Sequence, residues 1–109
     1  ANRVSHLKNN TVETYDLHPA DLGLAQSTVA DLRGGTPDES AVMMRDLLSN
    51  KLNGARRDAV LLNAAAALAA ESGDFKSALD EAQASLDSGN ALAKLDALVE
   101  FTKQFQTTQ

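Results

Sequence analysis

One nearly continuous apolar stretch constrains the fold more than any other feature of the sequence. From Ala59 to Ala70 every residue is Ala, Val or Leu except Asn63. Alanine and leucine favour helix, and Gly73 offers a C-terminal stop. The stretch is too short to cross a membrane, which takes about 20 residues. A helix that is apolar on nearly every face must be buried on nearly every face, so the sequence predicts a central, most buried helix at about 56–72.

Composition limits the classes of protein that the chain can belong to. Its 109 residues carry a formal net charge of −5, and 43% of them are hydrophobic, which suits one small domain with a core. Nucleic-acid binding is disfavoured because phosphates require clustered Lys and Arg. The absence of cysteine excludes disulfides, thiolate metal sites and cysteine nucleophiles. The sequence has no membrane-length or signal-peptide apolar segment, so we expect a cytoplasmic protein without a membrane partner.

The first part of the chain is predicted to form a β-hairpin at about 3–17. Strand-favouring residues fill Arg3–Lys8 and Thr11–Leu17, and the Asn-Asn pair between them tolerates the positive φ of a tight turn. Short helical turns are expected at 19–23 and 27–32. A two-stranded hairpin is marginal in water by itself. The strands therefore predict a larger sheet that the rest of this chain does not supply.

The remainder of the chain is predicted to be helical. Thr36 and Glu39 have the spacing of a capping box, with Pro37 at the first helical position. Asp74 and Asn90 can cap two later helices. Together with the central helix, these signals predict helices at about 37–49, 56–72, 75–88 and 91–104.

Each helix has a predicted apolar face, and Leu62 is expected to be buried in the central helix. The other faces are predicted from apolar residues at helical spacing. They comprise Val42, Met43, Leu47 and Leu48 in the first helix, Ala78, Leu79, Ala82 and Leu86 in the third, and Leu92, Leu95, Leu98, Val99 and Phe105 in the last.

The residues that could carry chemistry are all better explained by structural roles. His6 and His18 lie in different elements, and we interpret both as exposed or hydrogen-bonded structural histidines. The acidic pairs at 38–39 and 80–81 diverge because neighbouring helical residues point apart. Asn63 is expected to be buried and to bond to backbone at a strand end or loop, with a ligand contact as the alternative.

Two basic segments leave a functional alternative open. The Arg-Gly-Gly at 33–35 resembles part of a phosphate loop but lacks its spacing, so we favour a turn. The Arg-Arg-Asp at 56–58 could touch an anion at a helix N-terminus, but cations oppose the helix dipole there. A tertiary salt bridge is the simpler interpretation. The residues themselves predict no catalytic, cofactor-binding or metal-binding site in this chain.

Four longer segments, taken in order, identify a protein family more specifically than any single motif does. The segments YDLHPADLGL, DLRGGTPDESA, RRDAVLLNAAAALAAE and ASLDSGNALAKLDALVEF occur in this order. Together they resemble the C-terminal portion of bacterial anthranilate phosphoribosyltransferases over essentially the whole chain. The chain departs from the family at Ser40-Ala41, where the family often has Asn-Ala, and in the loop at 50–54, which lacks one customary glycine.

The resemblance implies a fold and a reaction. It implies that residues 1–109 are the C-terminal part of the α/β catalytic domain shared by nucleoside phosphorylases and these phosphoribosyltransferases. The family transfers phosphoribosyl from phosphoribosyl pyrophosphate to anthranilate in tryptophan biosynthesis. It uses magnesium to hold the pyrophosphate, and it dimerises through an N-terminal helical domain. The family's substrate and metal ligands have no matching position here, so this segment is expected to be scaffold and inactive alone.

Two other classes of function remain open at this point. One is an independent small helical module that binds a partner through an apolar face. The other is a nucleoside phosphorylase-like enzyme of the same fold with a different reaction.

Overall fold

The computed structural model describes residues 2–106, which form an antiparallel hairpin followed by four α-helices. The predicted domain segment spans residues 1–109, and of these Ala1 and 107–109 lie outside the described residues. Two short 3-10 helices, Pro19–Leu22 and Ala30–Leu32, connect the hairpin to the helices. The predicted order of a hairpin followed by helices is confirmed. The elements are β1 (Asn2–Lys8), β2 (Thr11–Leu17), α1 (Pro37–Leu48), α2 (Ala55–Leu68), α3 (Phe75–Asp87) and α4 (Asn90–Lys103).

The hairpin turn follows from its two asparagines. Asn9 and Asn10 have φ angles of 51° and 61°, the left-handed conformation at both central positions that a tight hairpin turn requires. The turn sets the register in which Leu7 pairs with Val12 and His6 with Glu13. Register in turn decides which side chains share a face, because alternate residues of a strand point to opposite sides.

The hairpin has one outer face and one inner face. On the outer face, the Arg3 guanidinium lies 3.6 Å from the Asp16 carboxylate, and the Ser5 and Thr14 hydroxyls lie 3.1 Å apart. The inner face is turned toward α2, and the half-buried side chains of the hairpin belong to it. These are Val4, His6, Tyr15 and Leu17.

Helix α1 begins at the predicted residue, but only one of the two hydrogen bonds of the predicted capping box is present. Thr36 Oγ1 accepts a hydrogen bond from the Glu39 backbone N–H at 3.2 Å. Within residues 2–106, the Glu39 carboxylate does not return a bond to the Thr36 backbone; it lies over Gly35 instead, where a Cβ would collide with it.

Helix α2 ends earlier than predicted, and helix α4 has a different N-cap residue from the predicted one. Helix α2 ends at Leu68 rather than near 72, because the chain then tightens into a turn in which the Ala70 N–H bonds to the Ala67 carbonyl. Helix α4 is capped by Gly89, at φ 84°, and not by Asn90, which is its first residue. The predicted cap role of Asn90 is therefore wrong.

The core lies where α2 and α3 meet. The predicted face of α3 is confirmed, because all four of its residues are buried. Helix α2 has fewer fully buried residues than α3, although more of its residues are at least half-buried, so the prediction that it would be the most buried element is only partly met. Among the described residues, α3 covers one side of α2 and the hairpin only partly covers another. The buried apolar residues are Leu47, Leu61, Ala65, Ala69, Ala78, Leu79, Ala82 and Leu86.

The predicted faces of α1 and α4 are only partly covered. Leu47 is buried, but Val42 is 60% exposed. Helix α4 buries none of its residues, and Leu98 and Phe105 are exposed. Leu62 is half-buried rather than buried. Several apolar faces that the sequence predicts to be covered therefore have no cover within residues 2–106.

Candidate functional site: the clefts along helix α2

The inner face of the hairpin does not close onto α2; it leaves a cleft of about 490 Å³. Residues of both strands line the cleft, and α2 supplies Leu62 and Ala66, which are one turn apart. The lining is mainly apolar. Its large apolar side chains include Val4, Tyr15, Leu17, Leu62 and Phe75.

One polar contact crosses this cleft. His6 Nε2 lies 2.7 Å from the Ala70 carbonyl oxygen, which places the donated proton on Nε2. This carbonyl follows the end of α2, where helical carbonyls have no partner within the helix. The hydrogen-bonded structural role predicted for His6 is confirmed. His18 is exposed at the start of the first 3-10 helix.

A second cleft, of about 540 Å³, lies between the 18–32 segment and the first half of α2. His18, Gln26 and Asp58 give it a more polar lining than the first cleft. Asn63 lines both clefts, but its amide is exposed and donates to the Ala59 carbonyl at 2.8 Å within its own helix. The expectation that Asn63 is buried is therefore wrong; it does bond to backbone, but within its own helix and not at a strand end or loop.

The arginines at the start of α2 tie that helix to its neighbours. Arg57 Nη2 lies 2.7 Å from Asp87 Oδ1 at the end of α3, and the Arg57 side chain is only 14% exposed. Arg56 Nη2 donates to the Arg33 carbonyl at 2.8 Å, in the loop before α1. The predicted tertiary salt bridge is thus confirmed for Arg57. Each guanidinium bonds within this chain through its Nη2, whereas the Nε of each arginine is buried without a hydrogen-bond partner in the described part of the chain.

The carboxylates of the chain serve as caps and surface charges. Asp74 accepts hydrogen bonds from the Ser77 backbone N–H and hydroxyl, which hold the pKa of its carboxyl below the usual value. Bonds from the backbone and hydroxyl of Thr28 lower the pKa of Asp31 in the same way.

Within residues 2–106, no three His, Cys, Asp or Glu side chains are grouped closely enough to hold a metal ion. The same part of the chain has no helix with the length and apolar content needed to cross a membrane. The absence of catalytic, cofactor-binding and metal-binding residues stays a prediction.

Comparison with known families identifies the class of protein to which this fold belongs. Residues 1–92 match the family described as "Glycosyl transferase family, a/b domain". This chain therefore belongs to that family. The observed hairpin and helices agree with its α/β class.

Among the curated relatives, the chain is similar to proteins named anthranilate phosphoribosyltransferase. The one from Desulfosudis oleivorans is 43% identical over 103 residues, which is 93% of this chain and 30% of the relative. The one from Syntrophobacter fumaroxidans is 45% identical over 104 residues, 94% of this chain and 31% of the relative. The one from Acetivibrio thermocellus is 42% identical over 107 residues. The resemblance found in the sequence is thus confirmed, and the chain spans about 30% of the length of these relatives.

The sequence does not predict the contact between His6 and Ala70. The two residues are 64 positions apart, and neither lies in a motif that predicts the other. The only sequence signal was indirect: a polar residue at an inward position of a strand.

Proposed function

We propose that this chain is a scaffold segment of an enzyme that transfers phosphoribosyl from phosphoribosyl pyrophosphate to anthranilate, a step of tryptophan biosynthesis in the cytoplasm. The observation that carries the proposal is the similarity to proteins of that name over 93% of the chain. Because the chain spans about 30% of those relatives, the activity belongs to the whole protein that contains it.

The incomplete cover of α2 supports a scaffold role. Val60 and Leu68 of α2 are 44% and 48% exposed, and the hairpin is a two-stranded sheet with a cleft behind it. Two strands with one apolar face are marginal in isolation and gain stability from further strands or a covering helix. We infer that the rest of the enzyme supplies this cover, so the segment completes the α/β domain and holds its catalytic strands in place.

We place the magnesium ligands in the part of the enzyme outside this chain. The described residues do not fit a magnesium site, because the acidic pairs at 38–39 and 80–81 diverge and no acidic group of three is present among residues 2–106. We therefore assign the pyrophosphate and metal ligands, together with a homodimer contact, to the part of the enzyme outside this chain. The contribution of residues 2–106 is to fix geometry, on which positioning and electrostatic stabilisation of the transition state depend.

The loss of anthranilate fluorescence tests the reaction directly. The complete enzyme, mixed with anthranilate, phosphoribosyl pyrophosphate and magnesium, should consume anthranilate, and the 109-residue chain alone should not. Omission of phosphoribosyl pyrophosphate is the control. Phosphorolysis of a nucleoside without consumption of anthranilate would instead identify a phosphorylase-like enzyme. Activity of the 109-residue chain alone would contradict the scaffold role.

A further inference from the structure

The second cleft, between the 18–32 segment and α2, has an apolar floor that needs an occupant. Ala55, Ala59 and Leu62 lie at helical spacing along one side of α2, and each is half-buried. Leu24 and Leu32 of the 18–32 segment belong to the same lining, and Leu32 is 45% exposed. Within residues 2–106, this side of α2 is therefore covered only in part.

The backbone along one rim of the cleft lacks hydrogen bonds. Residues 25–27 line the cleft and belong to no helix or strand. In the described part of the chain, none of their backbone N–H and carbonyl groups has a hydrogen-bond partner. Such a run is an edge to which an extended segment can pair through its own backbone.

One carboxylate in the lining also lacks a partner. Asp58 lies in the first turn of α2, lines the cleft and is half-buried. Among residues 2–106, its side chain forms no ion pair and no hydrogen bond. A carboxylate that loses water without gaining a donor lowers stability. The cleft thus suits an occupant that brings apolar side chains to Leu62 and an N–H or O–H donor to Asp58.

The start of β1 brings a candidate occupant to this cleft. Asn2 is the first residue of β1, and it lines the second cleft as well as the first. The chain matches about 30% of the length of its relatives and resembles their C-terminal portion, so most of the complete enzyme precedes residue 1. Consecutive elements of a chain are usually adjacent in space and joined by short connections. The segment that leads into β1 therefore arrives beside the second cleft.

We propose that the segment of the complete enzyme directly before residue 1 lies in the second cleft. It pairs its backbone with residues 25–27, places apolar side chains against Leu62 and brings a hydrogen-bond donor to Asp58. The inference rests on the proposed function, which holds that the rest of the enzyme covers α2, and it names the part of the enzyme that covers this side.

Backbone hydrogen–deuterium exchange of the complete enzyme tests the pairing. Alternate amides of a paired strand bond to the neighbouring strand, so at least one amide of residues 25–27 should exchange about tenfold more slowly than those of Gly34 and Gly35. These two glycine amides are the control, because they also have no partner within residues 2–106 and line neither cleft. Asp58→Ala should remove most of this protection, and Asp80→Ala, at an exposed position on α3, should not. Equal exchange at the two sites, or protection that survives Asp58→Ala unchanged, would overturn the proposal.

Cysteine pairs in the complete enzyme identify the occupant. The 109 residues contain no cysteine, so a pair can be introduced alone once any cysteines elsewhere in the enzyme are replaced. Gln26→Cys, in the cleft, should form a disulfide with a cysteine scanned through the positions directly before residue 1, because the two Cβ atoms come close. Ser85→Cys, at an exposed position on α3 away from both clefts, should not.

A scan without any disulfide to Gln26→Cys, while residues 25–27 are protected, would show that another part of the enzyme fills the cleft and would overturn the proposal. Both measurements are made without substrate. Their failure therefore leaves the consumption of anthranilate, which tests the proposed function, as a separate result.

Discussion

Arg57 and Asp87 are each placed at the unfavourable end of their own helix, and they bind each other. Arg57 lies in the first turn of α2, where the helix dipole repels a cation, and Asp87 is the last residue of α3, where the dipole repels an anion. Their charged atoms are 2.7 Å apart. The ion pair offsets both unfavourable placements and fixes the start of α2 against the end of α3.

Arg57→Ala should lower the free energy of unfolding by about 1–2 kcal/mol, since its guanidinium is largely buried and Asp87 would lose its partner. Arg45→Ala is the matched control. Arg45 also pairs with a carboxylate on another helix, that of Asp96 at 2.9 Å, but both side chains of this pair are half-exposed. That substitution should cost about 0–1 kcal/mol. If both substitutions lower the free energy of unfolding equally in urea denaturation, burial of Arg57 does not strengthen its ion pair.

Leu61 is the leucine of α2 on which the core depends. It is 3% exposed, whereas its neighbour Leu62 is half-buried beside the clefts. Leu61→Ala should destabilise the chain by about 2–5 kcal/mol, through lost burial and a cavity. Leu98→Ala, at a 56% exposed position, should cost much less. A comparable loss of thermal stability in the two variants would contradict the position of the core.

The cap of α3 should make the chain sensitive to acid. The hydrogen bonds from Ser77 lower the pKa of Asp74 from its usual value of 3.8 in the folded state. This contribution to stability is therefore present above that usual value and is lost as the pH falls through the lower folded pKa. Asp74→Asn should reduce the loss of stability in acid, because an amide still accepts the bond and does not titrate.

Urea denaturation at neutral pH and at a pH below 3.8 measures this difference. Asp80→Asn is the control, because Asp80 is exposed and caps no helix. If Asp74→Asn and the unchanged chain lose the same free energy of unfolding in acid, titration of Asp74 does not cause the acid sensitivity.

Local features were readable from the sequence, and distant contacts were not. The Asn9–Asn10 turn, the Thr36 and Asp74 caps and the α3 face depend on residues within a few positions of one another. The bond between His6 and Ala70 joins residues 64 positions apart, and no local pattern specifies it.

The apolar run of α2 predicts more burial than the helix has within residues 2–106. Its composition calls for cover on every side, and Val60 and Leu68 remain exposed among the described residues. Composition predicts that a face needs a partner, but it does not say which part of a protein provides one. For the same reason, the reaction could be inferred from the resemblance and not from any side chain described here.

Steady-state kinetics of the complete enzyme carrying Leu61→Ala tests the scaffold role most directly. Leu61 is buried at the α2–α3 contact and lines neither the cleft behind the hairpin nor the cleft beside the 18–32 segment. If the segment is scaffold, kcat should fall in proportion to the folded fraction, while the KM values for anthranilate and phosphoribosyl pyrophosphate should stay unchanged. A raised KM for either substrate with the folded fraction unchanged would contradict the scaffold role, because the segment would then shape the substrate site itself.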